Sequence, residues 1–124
     1  MRVLVIDDEP LVRRALMRAL QSRGHKVALA ENGKQGLQVW KAFLPDLVYL
    51  DVLMPEMSGL QVLTQLSKEV PEASAAKVIL ISAYSGDYDI VKAKAIGANL
   101  FLPKPFEDIM AVVTTGEKLT LPAD

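Results

Sequence analysis

Asp7, Asp8, Asp51, Ser82 and Lys104 lie far apart in the chain, yet each stands at or just past the end of a short apolar run. Carboxylates are hard oxygen ligands that suit a divalent ion such as magnesium. An ammonium beside a hydroxyl can neutralise and hydrogen-bond a phosphoryl group. Brought together, these types would suit phosphoryl transfer; apart, each has an ordinary structural use. Asp7, Asp8 and Glu9 could cap a helix and offset its dipole as readily as they hold an ion. Asp51 could serve as ligand, base or nucleophile toward phosphorus, or cap the next turn. Ser82 alone is a weak signal. Lys104, set between Pro103 and Pro105, is carried by a stiff backbone, and its bond to Pro105 could be cis.

The elements that would position these residues follow from the apolar pattern. Val3 to Ile6, Val27 to Ala30, Leu47 to Leu50, Val78 to Ile81 and Leu100 to Leu102 read as five buried strands. Between them, Leu11, Val12, Ala15, Leu16, Ala19 and Leu20 recur on one face of a first helix that opens at Pro10 and stops at Gly24, with Arg13, Arg14, Arg18 and Gln21 facing water. Further helices are predicted over Lys34 to Phe43, Gly59 to Glu69 and Asp87 to Ile96. A fifth begins near Phe106, weakened by Thr114, Thr115 and Gly116. Pro55 and Gly59 punctuate the loop after Asp51. The alternation is (βα)5, which right-handed crossovers wind into a doubly wound parallel sheet with helices on both faces. In such a sheet the carboxyl ends of the strands meet in one crevice. Asp7, Asp8, Asp51, Ser82 and Lys104 would converge there.

The 124 residues fit one domain, expected over 1–118, with 119–124 a tail or the start of a linker. A net charge of -1 gives no general attraction to nucleic acid or to an anionic membrane, so direct nucleic-acid binding is not expected. The absence of cysteine excludes disulfides and thiolate metal sites. No run is long enough for a signal-peptide core or a membrane span, and the chain reads as cytoplasmic. The only histidine, His25, falls between Gly24 and the second strand and reads as a surface turn residue.

At this point the sequence resembles the receiver domain of bacterial two-component response regulators, in the form of the single-domain chemotaxis regulator. The matching pieces are Val3-Leu4-Val5-Ile6-Asp7-Asp8-Glu9, the stretch from Pro45 through Asp51 to Gly59, Ser82-Ala83, Gly97-Ala98 and Lys104-Pro105-Phe106. The resemblance implies a flavodoxin-like five-stranded parallel sheet of strand order 2-1-3-4-5, and a phosphorylation switch that assists its own phosphorylation and dephosphorylation, not an enzyme acting on a separate substrate. By it, Asp51 takes a phosphoryl group from a histidine kinase, a phosphotransfer protein or a small phosphodonor such as acetyl phosphate. Asp8, Asp51 and the backbone carbonyl of Leu53 would hold Mg2+, with Asp7 acting through water, and Lys104 and Ser82 would bind phosphoryl oxygens. The signal would pass from Ser82 to Phe101, which lacks the hydroxyl often found at that position. It would reach the face of the fourth helix, fifth strand and fifth helix, through which a homodimer could form. Leu53 and Tyr84 flank the site and could shield an acyl phosphate from water.

Two other readings are weighed. A haloacid-dehalogenase-type phosphatase usually has a second acid two residues after its nucleophile, where this chain has Leu53. A receiver-like module that works without phosphate usually loses an acid or the lysine, and here all are present. A dinucleotide site is disfavoured because no Gly-x-Gly-x-x-Gly follows the first strand.

Overall fold

The computed structural model describes residues 1–69, 75–83, 94–95 and 97–122. Five strands, β1 (Arg2–Ile6), β2 (Lys26–Ala30), β3 (Leu47–Asp51), β4 (Lys77–Ser82) and β5 (Leu100–Pro103), form one parallel sheet in the order β2-β1-β3-β4-β5. Helices α1 (Pro10–Ser22), α2 (Gly33–Phe43) and α3 (Gly59–Glu69) and a C-terminal helix (Ile109–Thr120) complete the described elements. The expected helix over Asp87 to Ile96 falls mainly outside the described residues, which include only Lys94 and Ala95 of it, both helical.

Side chains alternate across the sheet, so each strand feeds two cores. Leu4, Ile6, Val48, Leu50, Val78 and Leu80 point to the side covered by α2 and α3, where they meet Leu37, Trp40, Val62, Leu63 and Leu66. Val3, Val5, Leu47, Tyr49, Ile79 and Ile81 point to the other side, against Leu16 and Leu20 of α1 and Val112 and Val113 of the C-terminal helix. The central strands are buried as expected, apart from Arg2 and Lys77 at the starts of β1 and β4. The outer strands are not: β2 and β5 are mostly half-buried, because an edge strand has a neighbour on one side only.

Three further expectations are corrected. Leu11 is 75% exposed and Ala15 is also exposed, because they line an open groove facing Pro105, Phe106 and Ile109, while Leu16, Ala19 and Leu20 make the buried contact. The C-terminal helix runs unbroken through Thr114, Thr115 and Gly116 to Thr120, and it starts at Ile109, where Asp108 caps it by accepting from the amides of Met110 and Ala111. Gly116 is required there because a β-carbon would collide with the Tyr49 hydroxyl and Leu47. That close approach lets Tyr49 Oη donate to the carbonyl of Val112 at 2.8 Å. His25 is no bare surface turn residue: its side chain is 11% exposed, and Nε2 lies 2.8 Å from Glu117 Oε2 on the C-terminal helix.

Candidate functional site

The carboxyl ends of β1, β3, β4 and β5 supply the candidate residues. Asp7 follows Ile6 directly, and its amide donates to Ala30 O at 3.1 Å, so the ladder with β2 is extended by one bond beyond the last strand residue. Asp51 is the last residue of β3 and pairs with Ile81. Ser82 ends β4 opposite Pro103, and the amide of Lys104 donates to Ser82 O at 2.8 Å. Register alone therefore places Lys104 beside Ser82. The Lys104-Pro105 bond is cis, one of the two forms the sequence left open.

Lys104 closes the crevice from the β5 side. Its ammonium donates to Asp7 Oδ2 at 3.0 Å and to Glu9 Oε1 at 2.8 Å, and it lies 3.5 Å from Asp51 Oδ2. Asp7 Oδ1 accepts from the amide of Glu9 at 2.8 Å, and Asp51 Oδ1 accepts from the amide of Leu53 at 3.3 Å. Carboxylate oxygens of Asp7, Asp8, Glu9 and Asp51 all lie within 4.8 Å of one another. Asp7, Asp51 and Ser82 are buried, whereas Asp8 and Glu9 are exposed at the mouth.

This concentration of acid has an electrostatic cost. Burial, reinforced by the charge of Asp7, pushes the Asp51 carboxyl up to about 7 against the opposing pull of Lys104. Burial likewise raises Asp7, though the Glu9 amide and Lys104 work against it. Burial alone would lower the Lys104 ammonium, but its bonds to Glu9 and Asp7 outweigh that and hold it above the ordinary lysine value. Three carboxylates thus face one ammonium at close range, and Asp8 adds a fourth acid beside them. Hard oxygen donors short of positive charge fit a divalent cation such as magnesium, and the residues present suit that ion.

The loop after Asp51 is pinned beneath the site. Val52 N donates to Ile81 O and Gly59 N to Val52 O, at 3.0 and 2.9 Å. A β-carbon on Gly59 would strike the backbone carbonyl of Asp51, so glycine is what lets α3 begin against the end of β3. Leu53, within this loop, is 52% exposed. Tyr84 lies outside the described residues. Phe101, opposite Leu80 in the sheet, is half-buried and packs against the core on the α2 and α3 side.

Asp7, Asp8, Asp51, Ser82 and Lys104 are brought to one end of the sheet. Sequence reasoning put Glu9 in the acidic cluster but missed its bond to Lys104, and it assigned Arg13 to water. Arg13 instead donates from Nη1 to the carbonyl of Asp7 at 2.7 Å, with its side chain 16% exposed. The available signal was position: one turn into α1, a long side chain can reach back to the loop that precedes the helix.

A parallel 2-1-3-4-5 sheet with an acidic, lysine-closed crevice at its carboxyl end defines a flavodoxin-like α/β protein whose site lies at the strand ends. The family model of the response regulator receiver domain matches residues 3–114, and the chain belongs to that family. Protein PilH of Pseudomonas aeruginosa is 36% identical over 107 residues, covering 86% of this chain and 88% of PilH. Response regulator MprA of Mycolicibacterium vanbaalenii is 34% identical over 99% of this chain, which spans 53% of MprA. Among solved structures, response regulator TrrA of Thermotoga maritima, in complex with Mg2+-BeF, matches with a TM-score of 0.76 and 34% identity over 97% of this chain and 98% of that one. The chain is therefore a receiver domain of the two-component type, a class of signalling switch. No helix among the described residues is long and apolar enough to cross a membrane.

Proposed function

We propose that this receiver accepts a phosphoryl group on Asp51 from a histidine kinase, a phosphotransfer protein or a small phosphodonor in the cytoplasm. The observation that carries the reading is the position of Lys104, whose ammonium lies 3.0 Å from Asp7 and 3.5 Å from Asp51 at the centre of the acids. Asp8, Asp51 and the carbonyl of Leu53 would hold Mg2+, with Asp7 contributing through water. The ion would offset the charge of the carboxylates and the incoming phosphoryl oxygens. TrrA, solved with Mg2+-BeF, supports by likeness the presence of a magnesium site.

In the reaction a carboxylate oxygen of Asp51 attacks phosphorus in line. The bond from phosphorus to the donor's imidazole nitrogen, or to the oxygen of acetyl phosphate, breaks, and the donor leaves with its electron pair. The product on the receiver is an acyl phosphate. Lys104 would turn from Asp7 and Glu9 toward a phosphoryl oxygen, and Ser82 would hydrogen-bond another. Movement at Ser82 would open space for Phe101 to pack inward, where burial alone favours it. The face made by the fourth helix, β5 and the C-terminal helix would then change, and a homodimer could form there.

Intact mass after incubation with acetyl phosphate tests the reading. One phosphoryl group should be gained in Mg2+ and none in a chelator. No gain in Mg2+ would overturn the reading and favour an interaction module that works without phosphate.

A further inference from the structure

Arg13 is a cation held among backbone and acid, although Arg14 and Arg18 of the same helix face solvent. Nη1 donates to the carbonyl of Asp7 at 2.7 Å, and Nη2 lies 4.0 Å from Glu31 Oε2 in the loop after β2. The other backbone group of Asp7 is fixed as well, since its amide donates to Ala30 O at 3.1 Å. Glu31 in turn is tied to α2, its amide donating to Gln35 Oε1 at 2.7 Å. One guanidinium therefore joins α1, the loop after β1 and the loop after β2.

The peptide unit is planar, so the direction of the Asp7 carbonyl sets the plane that leads into Asp8. With its amide and carbonyl both bonded, Asp7 has little freedom, and the start of Asp8 is placed by the same two bonds. We propose that Arg13 is a positioning residue that fixes the peptide between Asp7 and Asp8, so that both carboxylates face the cation position. It acts through the backbone and touches neither phosphodonor nor ion. The inference rests on the Mg2+ reading of the same acids. A guanidinium suits the task because its fork presents one nitrogen to the carbonyl and another toward Glu31. The facing Glu31 offsets its charge, which limits its competition with the cation.

Calorimetric titration of Mg2+ into wild type, Arg13→Met and Arg13→Lys tests the assignment, beside phosphorylation rates measured across Mg2+ concentration. Methionine and lysine are both strong helix formers, so α1 should persist in each variant. Arg13→Met is expected to weaken Mg2+ binding on the order of tenfold, and Arg13→Lys, which keeps a donor, to recover most of it. The rate of Arg13→Met at saturating Mg2+ should fall by less than about threefold, since the defect lies in the affinity for the ion and not in transfer. Mg2+ binding by Arg13→Met within about twofold of wild type would overturn the assignment, as would an equal loss in Arg13→Lys. A wild type that binds no Mg2+ would instead overturn the underlying reading, and this inference with it.

Discussion

At the scale of single residues, Asp51 combines a buried position with two neighbouring acids, and its carboxyl rises from 3.8 to about 7 through burial first and the charge of Asp7 second. A raised carboxyl gives a definite sign to the pH dependence. Between about pH 4 and 7 the unfolded chain releases this proton while the folded one keeps it, so the contribution of Asp51 to stability falls as pH rises through that window. Asp51→Asn has no such loss. In a chelator-containing buffer the variant should match wild type near pH 4 and exceed it by about 1–3 kcal/mol above pH 7, as read by urea unfolding. Added Mg2+ should narrow the gap by binding the native wild type. A constant difference across the range would contradict the electrostatic account. Asp7, Asp8, Asp51, Ser82 and Lys104 were legible in the sequence because strand ends and residue types both marked them. The bond from Glu9 to Lys104 was not, since it joins residues 95 positions apart by a side-chain geometry that no local pattern encodes.

Among the elements, the start of α3 was readable, because Gly59 marked it and leucine spacing gave the period that follows. The C-terminal helix was not, because Thr114, Thr115 and Gly116 are poor helix formers; tertiary fit against Tyr49 and Leu47 explains Gly116, while the threonine hydroxyls donate back to Ala111 O. Propensity lost there to packing. The end of α2 shows a local conflict that remains in the fold. Leu44 caps the helix in the left-handed region, with φ of 52°, and the residue is 63% exposed. Glycine has no β-carbon to strain in that conformation, and little burial would be lost. Leu44→Gly is expected to stabilise the protein by about 0.5–1 kcal/mol in urea unfolding. A loss of stability would show that Leu44 makes a contact worth more than the strain.

For the whole molecule, one sheet with two covered faces brings distant segments into register, and the end opposite the acids has its own tie. Glu117 accepts from Arg23 at 2.8 Å and lies 2.8 Å from His25 Nε2, joining the loop before β2 to the C-terminal helix. Glu117→Gln is expected to cost about 1 kcal/mol, reduced at high salt because Arg23 is half exposed. Denaturant midpoints in low and high salt check it, and an unchanged midpoint in low salt would contradict the assignment. This tie was illegible in the sequence, since its histidine and acid are 92 residues apart and periodicity faded before Glu117. The central claim concerns the other end of the sheet, that Asp51 carries the phosphoryl group. Borohydride reduces an acyl phosphate to a primary alcohol with release of phosphate, which marks the acceptor permanently. After treatment with acetyl phosphate and Mg2+, reduction and peptide mapping should find the alcohol at position 51 alone. The mark at Asp7 or Asp8, or a phosphoryl gain that borohydride leaves untouched, would contradict the account.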